Sequence, residues 1–287
     1  MWKTIKDCSG IINLSSSFLS SKLIEYDSET IQIKITENSS IELLSNPVDP
    51  IGNIFVLQGG VNHDVNDSFY IKNTCLYLTF ERAPVRIYLY KNNLPIINES
   101  FLPEIDQCIK YIKKSTQQSC IMIGYSMGGV VLYSYLSRGF LAADYYLPVC
   151  CPINLAKFHQ QIEENAIFRR LQQKTLRRFK VSSQEELFLL ARTSKEQNQE
   201  FIETFTDHLN QTIDQWVDRL TYIYGNKDPL TLDLNQDLAQ FNRKITTVII
   251  ENGWHCDLDS VIQACKIGLS YFSGEIKIIK NSKNVFN

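Results

Sequence analysis

Six short, largely apolar runs constrain this chain most: residues 54–57, 85–90, 120–123, 145–149, 222–224 and 245–250. A strand with one wet face alternates apolar and polar residues, whereas runs like these suit strands buried on both faces. Helical patterns lie between them at 67–80, 101–114, 129–136 and 260–272. Strand alternating with helix predicts an α/β architecture with a mostly parallel sheet. A hairpin signal precedes the alternation: Ile31, Ile33 and Ile35 alternate with polar residues, a turn falls at 37–40, and Ile41 to Leu44 resume the pattern. Six runs and one hairpin give eight strands. The serine-rich residues 1–30 are weakly patterned and are expected to form a surface lead-in.

The alternation is interrupted once, from Pro152 to about Gln215, where the sequence turns helical, charged and poor in glycine and proline. An inserted helical subdomain is expected at 152–215, with the α/β core built from 31–151 and 216–287. Within it, Phe201, Phe205, Leu209 and Ile213 recur every four residues and predict a helix packing one apolar stripe on its neighbours. Arg169, Arg170, Lys174, Arg177, Arg178 and Lys180 form a basic run interleaved with Phe168, Leu171, Leu176 and Phe179. Such an amphipathic helix suits a membrane surface, a phospholipid headgroup, a coenzyme A phosphate or an acidic carrier protein. It equally suits a solvated face balanced by Glu163, Glu164, Glu185 and Glu186.

Composition excludes several classes. Hydrophobic residues at 44% and charged residues at 21% supply a sizeable core and argue against a disordered chain. A net charge of −2 offers no global attraction to nucleic acid. No apolar run approaches membrane-spanning length, and residues 1–8 lack the features of a signal peptide, so a cytoplasmic protein is expected, with signal-independent export left open. Eight cysteines occur without a C-x-x-C pair; Cys75, Cys108, Cys120, Cys150 and Cys151 lie among apolar residues, as reduced core thiols do. No metal-ligand cluster is evident.

The third apolar run carries the chemistry. Ile121-Met122-Ile123-Gly124-Tyr125-Ser126-Met127-Gly128-Gly129-Val130 puts a serine on the turn between a strand and a helix, in the G-x-S-x-G pattern of a nucleophile elbow. A serine hydroxyl is a poor nucleophile at neutral pH and needs a base, itself oriented by a third group. Of four histidines, His159 and His208 lie in the charged insert and His63 follows an early strand. His255, in Asn252-Gly253-Trp254-His255-Cys256-Asp257, follows the last strand, near the edge where a parallel sheet places its sites. Asp228, between Gly225 and Pro229 just past another strand, is the candidate orienting acid, and Asp233 is the nearest substitute. Ser126, Asp228 and His255 follow the chain order of enzymes built on this elbow. An oxyanion would need two backbone N–H donors. Met127 supplies one, and Gly60, after Gln58-Gly59 at the end of an early strand, supplies the other, with Val61 as the one-residue alternative.

These residues resemble the α/β-hydrolase superfamily over positions 31 to about 275. Gly124-Tyr125-Ser126-Met127-Gly128-Gly129 is similar to the elbow of its esterases, monoacylglycerol lipases, thioesterases and carbon–carbon hydrolases, and does not separate them. One departure is Gln58-Gly59-Gly60 where the family usually has His-Gly. The resemblance implies an eight-stranded sheet, a helical lid at 152–215 between the sixth and seventh strands, and hydrolysis of an ester or thioester of a medium or long acyl chain without a cofactor. A carbon–carbon hydrolase or lyase on the same residues, and a non-catalytic ligand-binding module of the same fold, remain as alternatives.

Overall fold

Alternation of side chains on the central strands sorts the molecule into two cores. In the computed structural model, which describes residues 32–34, 39–57, 69–92, 101–154, 157, 199–228, 231 and 237–276, strand order is β1-β2-β4-β3-β5-β6-β7-β8. The strands are β1 (Gln32–Lys34), β2 (Ser39–Ser45), β3 (Gly52–Leu57), β4 (Val85–Asn92), β5 (Cys120–Tyr125), β6 (Tyr145–Val149), β7 (Thr221–Gly225) and β8 (Thr246–Ile250). Pairing is antiparallel for β1–β2 and β2–β4, and parallel from β4 through to β8. Every expected strand is present. The hairpin register puts Ile33 opposite Ile41.

On β5, Ile121, Ile123 and Tyr125 enter one core while Cys120 and Met122 enter the other; β3 divides likewise between Ile54 with Val56 and Phe55 with Leu57. Each face needs a helical layer. The first is covered by α1 (Phe69–Phe80) and α5 (Leu258–Phe272), which pack on each other. The second is covered by α2 (Leu102–Thr116), α3 (Met127–Ser137) and α4 (Gln199–Trp216). Pro103 sits in the first turn of α2, where a missing N–H costs nothing, and the chain leaves that helix through Gln117 at φ 56°.

Helix α4 buries Phe205, Leu209, Ile213 and Trp216 in the second core and packs along α3, so the apolar stripe meets neighbouring helices as expected. The Phe201 side chain lies outside the described residues. Residues 199–215 of the expected insert thus form part of the layer over the sheet.

Helix α3 starts at Met127, two residues before the helix predicted from the sequence. Gly128 and Gly129 occupy its first turn. The bare Gly124 and Gly129 let α3 approach β5 and its surroundings closely: a Cβ on Gly124 would lie 2.5 Å from the Gly128 carbonyl oxygen, and one on Gly129 would lie 2.5 Å from Cys151 Sγ. The chain order reverses at β3, with β4 on one side and β5 on the other, which opens a crevice at the strand C-termini. Ser126 ends β5 at that crevice.

Gly124→Ala is expected to destabilise the protein by about 1–3 kcal/mol, because backbone rather than a mobile side chain opposes the new methyl group. Gly268→Ala meets only the tip of Ile121, at 2.5 Å, and should cost less. Urea denaturation of both variants checks the order.

Candidate active site

Ser126 joins β5 to α3 at φ 52° and ψ −115°, a conformation that costs a non-glycine residue about 1–3 kcal/mol. Three backbone bonds hold it there. Its N–H donates to Val149 O at 2.8 Å, and its carbonyl accepts from Gly129 N–H at 2.9 Å and Val130 N–H at 3.3 Å. A serine in the N-cap position ordinarily spends its hydroxyl on the helix amides, but Ser126 makes no such cap. Its Oγ instead lies 2.8 Å from His255 Nε2. Met127 is the first residue of α3, so its N–H has no carbonyl within the helix to bond, and it sits beside the Ser126 hydroxyl in the chain.

The other side of the imidazole meets the acid. His255 Nδ1 is 2.9 Å from Asp228 Oδ2. Of the two side chains, Asp228 is fully buried and His255 keeps 21% of its surface exposed. Asp228 is positioned by its own turn: its N–H donates to Gly225 O at 3.1 Å, and its carbonyl accepts from Thr231 N–H at 3.1 Å.

The acid and histidine loops are sewn together by backbone. Lys227 N–H donates to Gly253 O at 2.9 Å, Asn226 N–H to Ile250 O at 3.1 Å, and Asn252 N–H to Asn226 Oδ1 at 2.7 Å. Gly225 and Gly253 lie so close that a Cβ on Gly225 would collide with the Gly253 carbonyl. Two glycines therefore set the Asp228–His255 distance.

Burial pulls the His255 pKa down, but the hydrogen bond and charge of Asp228 outweigh it, with smaller contributions from Cys150 and Asp257; the net shift is upward. The site therefore favours a positive imidazolium. Cys150 and Cys256 are buried beneath it, both with positive φ, at 48° and 46°. Cys256 Sγ donates to Val149 O at 3.5 Å, the carbonyl that also holds Ser126 N–H. The hydrogen bond with Cys256 lowers the Cys150 pKa against the effect of burial. All seven cysteines among the described residues are free and buried.

Ser126, Asp228 and His255 thus come together as one hydrogen-bonded chain, from loops after β5, β7 and β8. His208 is part of α4 instead. Gln58, Gly59, Gly60, Val61, His63, His159, Asp233 and the basic run 168–180 lie outside the described residues, as does 158–198 of the expected insert. Sequence reasoning missed Asn226, Cys256, Asp257 and the Val149 carbonyl. Asp257 alone left a signal: an aspartate just before a helical pattern is a typical N-cap, and its side chain caps α5, which begins at Leu258, two residues before the expected start at 260.

The fold resembles Est1E from Butyrivibrio proteoclasticus at TM-score 0.55 and 13% identity, over 86% of this chain and 100% of that one. It also resembles a thermostable carboxyl esterase from Bacillus coagulans (0.55, 10%, 86% and 98%). An alpha-beta serine hydrolase homologue from Coxiella burnetii matches at 0.51 and 8%, over 85% and 97%. The chain has the α/β-hydrolase fold. At these identities the likeness is one of fold alone. No protein-family model and no curated protein matches the sequence significantly.

A nucleophile, a base and a buried carboxylate in this geometry can pass a proton from hydroxyl to imidazole while the carboxylate steadies the charge. Gly225→Ala should force the two loops apart without altering Asp228 or His255. The expected result is a His255 titration midpoint, read by NMR, that falls back toward the ordinary imidazole value.

Proposed function

We propose that this protein is a serine hydrolase that cleaves a carboxylic ester or thioester of a medium or long acyl chain. Ser126 Oγ attacks the carbonyl as His255 Nε2 takes its proton, and Asp228 orients His255 and steadies the imidazolium. The N–H groups of Met127 and Gly60 hold the oxyanion of the tetrahedral intermediate. His255 returns the proton to the leaving alcohol or thiol. Water, activated by the same histidine, then hydrolyses the acyl-enzyme on Ser126.

One observation carries this reading: the Ser126–His255–Asp228 chain, with contacts of 2.8 and 2.9 Å, in which the serine hydroxyl is withheld from the helix cap and given to the imidazole. The raised His255 pKa supports it, because a base that becomes a cation during attack needs a site that tolerates the charge. The carboxyl esterase among the structural neighbours agrees with ester chemistry. The lid that selects the substrate is proposed within residues 152–215, around a core of 31–151 and 216–287, with α4 as the part of that segment seated on the sheet's second face. The basic run 168–180 within that lid would meet a phosphate or carboxylate on the acyl carrier, as coenzyme A, a phospholipid headgroup or an acidic protein would present. Among the described residues no helix is long and apolar enough to cross a membrane.

A fluorophosphonate should label the wild type covalently and leave Ser126→Ala unlabelled. A folded wild type that resists labelling would sink the proposal. A panel of p-nitrophenyl esters and acyl-coenzyme A compounds then separates ester from thioester preference, and turnover of a vinylogous diketone without either would favour a carbon–carbon hydrolase. Asp228→Asn should lower kcat by about 10,000-fold. Because neutral imidazole is the active form, kcat/KM should rise with pH through a midpoint above the ordinary histidine value.

A further inference from the structure

The loop that carries His255 is closed by a side chain that the proposed reaction does not use. Both oxygens of Asp257 are committed. Oδ1 accepts the Ser260 N–H at 2.9 Å and the Ser260 hydroxyl at 2.8 Å, which caps α5. Oδ2 turns back across His255 and accepts the Trp254 N–H at 2.9 Å, while the Asp257 N–H returns to Trp254 O at 3.4 Å. Capping a helix requires one oxygen only. The second bond clamps the residue before His255 to the second residue after it, so the backbone that bears the imidazole is held from both ends.

The clamp also reaches the nucleophile. Cys150 Sγ donates to Ser260 Oγ at 3.7 Å, and Cys150 directly follows Val149, whose carbonyl holds the Ser126 N–H at 2.8 Å. A connected set of polar contacts therefore runs from Trp254 through Asp257, Ser260 and Cys150 to the turn that carries Ser126. The side chain of Asp228 meets the ring from the loop after β7.

We propose that Asp257 is a positioning residue for His255: its carboxylate ties the histidine loop to α5 and places a second negative charge near the imidazolium formed when Ser126 is deprotonated. This rests on the reading of Ser126, His255 and Asp228 as the reacting set. The carboxylates whose charge reaches the ring are Asp228 from the loop after β7 and Asp257 on the ring's own loop, and the Cys150 sulfur just after β6 acts in the same direction; all three favour the protonated form against burial. Asp228 dominates in direct contact. Asp257 adds a smaller effect of the same sign.

The test uses Asp257→Asn and Asp257→Ser. Asparagine and serine cap helices about as well as aspartate, so α5 keeps its cap, but each is neutral and neither offers two carboxylate oxygens. Expected are a Tm close to that of the wild type, a kcat lower by up to about 100-fold with little change in KM, and an acid limb of the kcat/KM profile moved to lower pH. The His255 NMR titration should move down in both variants, by less than in Asp228→Asn. Unchanged kcat and an unchanged His255 titration would overturn the proposal, as would losses that follow a fall in Tm with the titration intact. The titration needs no turnover, so it tests the clamp separately from the fluorophosphonate labelling that tests Ser126.

Discussion

The contact between β5 and the first turn of α3 is the constraint on which the rest of the site depends. A bare Gly124 lets the strand meet the Gly128 backbone, a bare Gly129 makes room for Cys151, and the chain turns between strand and helix with Ser126 at φ 52°. Strain of about 1–3 kcal/mol is small beside what surrounds it. The flanking strand is buried on both faces, and the turn is bonded to Val149 O on the neighbouring strand. A well-packed scaffold thus imposes a conformation that the serine would not adopt by itself, and that conformation presents the hydroxyl outside the cap.

Parallel pairing supplies the second requirement. Because β5, β6, β7 and β8 run in one direction, their C-terminal ends form one edge, and the loops that leave it are neighbours however distant in sequence. Ser126 and His255 are 129 residues apart and touch. Asp228 and His255 come from adjacent strands whose loops interlock through Gly225 and Gly253, so little conformational freedom separates acid from imidazole. That rigidity matters electrostatically. Asp228 is fully buried, and a buried carboxylate is tolerable when its charge is answered by nearby donors and an incipient cation; His255 answers it, and its own pKa rises in return.

Strands β3, β5, β6 and β7 were legible because burial on both faces leaves a continuous apolar run. The edge strand β8 gave the same signal but is only partly buried, with Ile249 51% exposed, because among the described residues no further strand or helix covers it there. Helix starts were less legible. Helix α3 begins at Met127, two residues before its apolar pattern, because the nucleophile turn runs directly into it, and at α5 the signal lay in the side chain of Asp257, whose cap brings the helix forward to Leu258. The stripe on α4 announced a packed helix, but its place in the layer over the sheet depended on Trp216 and Phe205 finding the same core as Tyr133 and Tyr222. Ser126, Asp228 and His255 could be named because each follows a strand in an order that one sheet edge can bring together. Asn226, Cys256 and the Val149 carbonyl could not, since their contributions are contacts between loops and carry no local pattern.

The sequence by itself determined the α/β alternation, the serine turn and the identity of the candidate acid and base, because periodicity, glycine spacing and chain order are properties of residues near one another along the chain. Only the tertiary structure decided the distances of 2.8 and 2.9 Å, the direction of the His255 pKa shift and the clamp from Asp257 to Trp254. Those depend on which carbonyl or carboxylate a buried donor meets across a gap between loops. Parallel pairing and close backbone packing choose that partner, and neither is written in any single stretch of sequence.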